Sequence, residues 1–386
     1  MSKPPGTPLG NMERQSAPLK IGGHLDRYVV RLFSFSYLTA FLMVVGLFLI
    51  VDMATNLDEY LEPGEDGSTP PALKVVHFYL LEIPFLYLEM SPFVTLIAGL
   101  FTAARLSKAN EIVAVLGGGI SSRRMLAPVI VCGAILALGM FGLREWATAS
   151  LGLQRDILRE QLEDRRDQPV YSGIWVKSSE GVTVRVRSFI PAGGPNGEPL
   201  IQGLSCQVDV AGSLEVFAAE KAVAIEPHSE GRWRLTAGQV LRVSSTGQER
   251  NDVTEMEGVT FTPEDVLLFH QAMEDPLQLS FSGARRVLDR RPDDSRVRTA
   301  LHYHMTFPLA GLVLLLVGLP FLVRQERGGG IERVGAGLLL CMAYFACDFV
   351  TRTLGLQGFI GPIHAGWLTV VLFGSLGVVL FGSMRA

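Results

Sequence analysis

Three acidic residues, Glu82, Glu89 and Asp348, lie inside otherwise apolar stretches of the chain. Ionisable groups at membrane depth are costly, so they mark either a helix end or a functional site. Both readings stay open here: the acids sit near headgroup depth, facing water or pairing with Arg352, or they line a polar cavity used by a substrate. His302 and His304 flank Tyr303. Two positions apart on a helix, their rings turn away from each other, so no metal pair is expected. Cys132, Cys341 and Cys347 fall in apolar runs and only Cys206 in a polar one, which rules out a disulfide within that polar segment. No CxxC, GxSxG, HExxH or Walker A pattern occurs. Gly117 to Ile120 lacks the GK[ST] of a phosphate loop, and the RQERGGG stretch from Arg324 reads as a basic turn. No catalytic residue, metal site or cofactor is expected. A net charge of −4 gives no argument for nucleic acid.

The elements that must position these residues are membrane helices. Of 386 residues, 48% are hydrophobic and only 19% charged, and the apolar excess is gathered in blocks. Crossing a hydrocarbon core of about 30 Å takes roughly 20 apolar residues. Six blocks qualify: residues 28–53, 75–104, 125–143, 303–323, 334–350 and 363–381. The second contains Pro84 and Pro92 and is expected to be tilted and kinked. The fifth and sixth are richer in Gly and Ala, as close helix packing in lipid favours. Residues 1–24 form a Pro-, Gly- and Ser-rich tail without a cleavable signal, so the first block is an uncleaved anchor.

Basic residues in the short loops fix the orientation. Arg27, Arg31, Arg105, Lys108, Arg123, Arg124, Arg324, Arg327, Arg333 and Arg385 all fall on one side. The opposite short loops, Asn56 to Leu73 and Thr353 to Pro362, carry no Lys or Arg, and the first carries Asp58, Glu59, Glu62, Glu65 and Asp66. Both termini are therefore expected in the cytoplasm and the long insertion outside.

The chain thus reads as an α-helical membrane protein with helices 1–3 in residues 25–148 and helices 4–6 in residues 301–386. Between them, residues 149–300 form an inserted all-β, jellyroll-like domain with flanking helices. A charged amphipathic helix, Gln154 to Asp167, can extend the third span out of the membrane. Short alternating runs follow: GIWVKS, GVTVRVRSF, GLSCQVDV, SLEVFAAEKAVAIEP, GRWRLTAGQVLRV and GVTFT. Trp175 and Trp233 fall on hydrophobic beats and are expected as core anchors. The tail from Pro276 to Arg298 is expected to be helical.

The most distinctive stretch is the turn RLSKANEIVAVLGGGISSRRM between the second and third spans. Glu111 to Leu116 is a short amphipathic helix, too short to span, ended by Gly117 to Gly119, and Ser121 can cap the next helix. Such a helix is either a linker or a piece that docks into a groove on a cytoplasmic partner.

In these residues the chain resembles the lipopolysaccharide-export permeases, the LptF/LptG family. LDRYVVRLF, Leu25 to Phe33, looks like the N-terminal lead-in of the family and is closer to LptG than to LptF. Pro84 and Pro92 match the prolines of the second span. NEIVAVLGGGIS resembles the coupling-helix pattern: Glu111, Gly119 and Ser121 fit, while Asn110 replaces the usual Ser. Pro308, the Leu319-Pro320-Phe321 run and Pro362 to Trp367 match the fourth and sixth spans. The resemblance covers nearly the whole chain.

The resemblance implies a permease in the cell inner membrane that pairs with a second LptF/LptG-family subunit. The pair recruits an LptB-like ATPase dimer through coupling helices, here Glu111, Ile112, Val115, Leu116, Gly119 and Ser121. Lipopolysaccharide enters laterally, and ATP-driven closure passes it through jellyroll domains to an LptC/LptA-like bridge. LptG-like chains often place Lys near the outer end of the first span, where this chain has Asp52, Asp58 and Glu59. Contacts to lipid phosphates are then expected from Lys74, Arg144, Arg352 or the partner subunit, or else the substrate differs in charge. The alternatives are an ABC-associated mechanotransmission protein, which usually has four spans, and a membrane-anchored periplasmic enzyme or scaffold that moves no lipid.

Overall fold

The computed structural model describes residues 23–61, 71–163, 168–178, 180–194, 197–210, 213–224, 233–244, 247–255, 259–323 and 330–384. The tail before Gly23, the acids Glu62, Glu65 and Asp66, and the basic residues Arg324, Arg327 and Arg385 lie outside them, as do the side chains of Glu59 and Arg333.

Four helices come first: α1 (His24–Leu61), α2 (Ala72–Lys108), the short α3 (Glu111–Gly117) and α4 (Ser122–Glu163). The sheet follows as β1 (Tyr171–Lys177), β2 (Thr183–Ile190), β3 (Leu200–Val210), β4 (Ser213–Ala224), β5 (Trp233–Ser244) and β6 (Gly247–Glu255). The chain returns through α5 (Pro263–Glu274), α6 (Phe281–Arg290), α7 (Ser295–Thr306), α8 (Leu309–Val323), α9 (Gly330–Leu356) and α10 (Pro362–Gly382). Among the described residues, α1, α2, α4, the 339–356 part of α9, and α10 are long and apolar enough to cross a membrane. The α7–α8 pair makes a sixth crossing if it is one broken span.

That break revises the expected fourth span. The apolar run from Tyr303 to Val323 is not one helix: α7 and α8 meet at 50°. Pro308 lacks an N–H, and its ring clashes with the carbonyl four residues back, at His304. Phe307 still donates to the Tyr303 carbonyl at 2.8 Å before the chain turns. α8 alone, 15 residues and about 22 Å long, is shorter than the hydrocarbon core. It is apolar on every side and sits at the centre of the bundle, with Ala310, Val313, Leu314, Leu315, Val317 and Leu319 buried. α2, by contrast, runs as a single helix through Pro84 and Pro92.

Missing side chains set the helix spacing. A Cβ at Gly99 of α2 would lie 2.3 Å from Leu315 Cδ2, and one at Gly133 of α4 would lie 2.6 Å from Leu315 Cδ1. Likewise a Cβ at Gly355 would meet the Ala365 Cβ at 2.2 Å, so the α9 backbone packs directly on the Ala365 methyl of α10.

The charged extension of the third span is real. α4 continues without interruption to Glu163, making one helix of 42 residues. The inserted domain is all-β, a six-stranded antiparallel sheet in the order β1-β2-β3-β4-β5-β6. Each strand pairs with its sequence neighbours, a meander without the interleaved strands of a jelly roll. One face is apolar, with Ile174, Val176, Val184, Val186, Leu204 and Phe217 buried against Val266 and Phe269 of α5 and Ala284 and Val287 of α6.

Two expectations change. Ile174 and Val176 point inward, so alternation forces Trp175 outward, 44% exposed, with the Arg185 guanidinium 5.5 Å from its ring centroid. Trp233 is the core anchor: it is fully buried, stacks on Phe261 and donates from Nε1 to the Phe261 carbonyl at 2.8 Å. Residues 259–262 of GVTFT form no strand, and Gly258 lies outside the described residues. Thr262 instead opens α5 with a capping box, its hydroxyl accepting from the Asp265 N–H at 3.2 Å. The sixth strand is the polar β6, at the sheet edge.

Candidate functional site

α2 ends at Lys108, and two residues turn the chain into α3. Asn110 has φ 54°, the left-handed region that Asn tolerates better than most residues. Asn110 is the N-cap residue of α3, and its side chain makes no capping hydrogen bond. Glu111 then opens α3, and its Oε1 accepts a hydrogen bond from the Tyr28 hydroxyl of α1 at 2.8 Å. Ile112 is buried in a cluster with Val29, Leu106 and Met125, and Val115 and Leu116 pack against the same cluster. Positions i, i+3 and i+4 thus hold α3 to the bundle. Its other side is open: Val113 is 49% exposed and Ala114 is exposed.

The exit is a Schellman turn. Gly119 donates to the Leu116 carbonyl at 3.0 Å and Ile120 to the Val115 carbonyl at 3.1 Å. Gly119 has φ +77°, as that turn requires. Ile120 emerges exposed after the turn, and the Ser121 hydroxyl accepts from the Arg124 N–H at 3.4 Å to start α4. Of the expected coupling residues, Ile112, Val115 and Leu116 therefore face the bundle, whereas Glu111, Gly119 and Ser121 shape and anchor the turn. Val113 and Ile120, the exposed apolar side chains, were not singled out from sequence. Their signal was there: once i, i+3 and i+4 mark the buried face, Val113 must lie outside it.

The turn is tied to α1 a second time. Arg124 donates to both oxygens of Asp26, at 2.5 and 2.9 Å, and Asp26 is buried.

At the opposite end of the bundle, the reading of the acids resolves residue by residue. Glu82 of α2 lies 3.8 Å from Arg155 and 3.6 Å from Arg159, both on the extension of α4, and not beside Arg352. The Arg155 guanidinium covers the Phe85 ring at 4.3 Å and that of Arg159 the Phe78 ring at 5.8 Å. Asp52 accepts from the Tyr79 hydroxyl at 3.0 Å on the same side. Asp348 is half-buried one turn before Arg352, and Glu89 is exposed.

Of the expected lipid-phosphate residues, Arg144 and Arg352 both come close to Tyr303. Lys74 stands half-exposed in the first turn of α2. Arg144 donates to the Leu277 carbonyl at 2.8 Å and lies 5.9 Å from the Phe307 ring centroid. Arg352 donates to the Tyr303 hydroxyl at 3.0 Å and lies 5.0 Å from the ring of the same residue. Arg144 and Arg352 therefore flank α7, each held by a protein partner. His304 is buried and His302 half-exposed, and among the described residues no three His, Cys, Asp or Glu side chains are placed to hold a metal.

One apolar feature escaped the sequence reading. A groove of about 410 Å³ runs between α1, α2 and α4, lined by Tyr37, Leu38, Phe41, Ile83, Pro84 and Leu143 among others. At its wall the hydroxyls of Tyr37 and Tyr87 share a hydrogen bond of 2.8 Å, which satisfies both inside an apolar setting.

A comparison with curated proteins gives no match. The family model described as "Lipopolysaccharide export system permease LptF/LptG" matches residues 27–383, from the first helix through α3 and the inserted sheet to the end of α10. So complete a match places this multi-pass membrane protein in the LptF/LptG family, as a permease subunit of lipopolysaccharide export that has no ATPase of its own.

Proposed function

We propose that this permease is the LptG-type subunit of an inner-membrane exporter, driven through α3 by a separate LptB-like ATPase dimer. The subunit type is supported by the LDRYVVRLF lead-in at Leu25 to Phe33. The coupling role is carried by one observation, the divided surface of α3. Ile112, Val115 and Leu116 fasten it to the bundle, while Val113, Ala114 and Ile120 stand exposed beside a well-formed glycine turn. An apolar helix face presented on a rigid turn suits insertion into a groove of a partner.

The orientation follows the basic residues. With Arg27, Arg31, Arg105, Lys108, Arg123 and Arg124 on the cytoplasmic side, both termini are cytoplasmic and the sheet is periplasmic. A second LptF/LptG-family subunit completes the cavity, and an LptC/LptA-like bridge receives the lipid from the periplasmic domain. The groove between α1, α2 and α4 has the size and apolar lining of a small-ligand site and accepts part of an acyl chain. Among the described residues Lys74 has no ion-pair partner, which suits it to meet a lipid phosphate. Arg144 and Arg352 each direct one terminal nitrogen to Leu277 or Tyr303 and keep further N–H donors for a phosphate.

The test is co-purification of the tagged ATPase with Val113→Asp. We expect the association to be lost while the permease still assembles with its partner subunit. Binding of unchanged affinity would refute the coupling role.

A further inference from the structure

We propose that Glu145 is a positioning residue that fastens the inserted domain to α4, making α4 the lever that carries motion from α3 to the sheet. This rests on the coupling role proposed for α3. α4 begins directly after the Gly119–Ser121 turn and runs unbroken for 42 residues, about 63 Å at 1.5 Å per residue. Glu145 lies 23 residues beyond Ser122, about 35 Å along the axis, just past the thickness of a hydrocarbon core. The fastening therefore stands where the helix leaves the membrane.

Its geometry is specific. Glu145 Oε2 accepts from the Phe281 N–H at 2.8 Å and Oε1 from the Ser282 N–H at 3.2 Å. These are two of the free N–H groups that open α6, and a carboxylate is favoured there by both hydrogen bonding and the helix dipole. The Ser280 hydroxyl takes a third, from Gly283, at 3.0 Å. The preceding residue, Arg144, holds the Leu277 carbonyl at 2.8 Å, on the other side of the same segment. One turn earlier, the Phe141 ring meets Phe281 edge-on, with centroids 5.7 Å apart. Three residues of α4 thus grip residues 277–282.

What they grip is the root of the domain core. Ala284 and Val287 of α6 are buried with Val266 and Phe269 of α5 against the inner face of the sheet. Interiors of this kind are close-packed and shift as a body. A displacement of α4 at its first turn is therefore handed to the sheet through Glu145, with no flexible linker between.

The experiment uses the assembled exporter in proteoliposomes, with Glu145→Ala and Glu145→Gln. ATP hydrolysis and transfer of lipopolysaccharide to a periplasmic acceptor are measured together. Spin labels at Ser150 on α4 and Gln202 on β3 report the distance between lever and domain. With Glu145→Ala we expect hydrolysis to persist and transfer to fall about tenfold, the size of a typical coupling free energy, with a broadened distance distribution. Glu145→Gln, which keeps one acceptor oxygen, should recover part of the transfer. Transfer at the wild-type level, or a parallel loss of transfer and hydrolysis at an unchanged distance, would overturn the proposal. Val113→Asp separates this from the reading beneath it: if that variant keeps full ATPase association, the coupling role of α3 fails whatever Glu145 does.

Discussion

Arg124 and Asp26 lie 98 positions apart, yet the guanidinium of one bonds both oxygens of the other, at 2.5 and 2.9 Å. The pair closes α1 against the first turn of α4 beside the root of α3. Asp26 is buried and Arg124 is about a quarter exposed, so the charges are only partly screened.

Removing one partner strands the other. Asp26→Asn should cost about 1–3 kcal/mol, because the surviving guanidinium loses a charge-assisted acceptor. Adding Arg124→Gln to that variant should cost little more. A double-mutant cycle on detergent-solubilised protein, read by thermal unfolding, measures the coupling. Additive losses would show that the two side chains act independently.

Glu111→Lys removes the acceptor of the Tyr28 hydroxyl and reverses the charge in the first turn of α3. It should abolish co-purification of the ATPase. Val115→Pro, which breaks the short helix itself, should do the same. Pull-down at equal permease levels decides, and unaltered recovery of the ATPase with both variants is the contrary result.

Gly119→Ala tests the exit turn. Nothing lies within 4 Å of an added Cβ, so the penalty comes from the backbone alone, with φ at +77°. It should be about 1–2 kcal/mol, smaller for Gly119→Asn, since Asn visits that region more readily. ATP-driven transport in vesicles should rank the variants glycine, asparagine, alanine. Equal rates for all three would mean that the turn tolerates other conformations.

The two tryptophans of the inserted domain should behave oppositely. Trp233→Ala leaves a large cavity and an unsatisfied Phe261 carbonyl, and should cost about 3–5 kcal/mol. Trp175→Ala, on the outer face, should cost less than about 1 kcal/mol. Differential scanning of the full protein compares them, and similar losses would contradict the strand register.

The sequence made the helices legible because twenty apolar residues in a row have few other uses. It missed the break in the fourth span because an apolar count does not register what Pro308 does to the hydrogen-bond ladder. Trp175 and Trp233 looked alike as hydrophobic beats, and only the register, with Ile174 and Val176 inward, separates them. β6 was invisible because an edge strand can be held by backbone pairing alone, and Gly247 to Glu255 carries few apolar residues. The α3 turn was readable, since its helix and its glycine exit are local. The ties of Glu82 to Arg155 and of Glu145 to Phe281 were not, because each joins residues far apart in the chain.

Leu315 has both of its methyl groups seated in notches, one at Gly99 and one at Gly133. A single side chain thereby keys three helices to one another like a tongue fitted to two slots. α2 and α4 cannot slip lengthwise along α8 without lifting Leu315 out of both. Whatever strokes this subunit makes, its central three helices make them as one part, and bending is left to the break at Pro308.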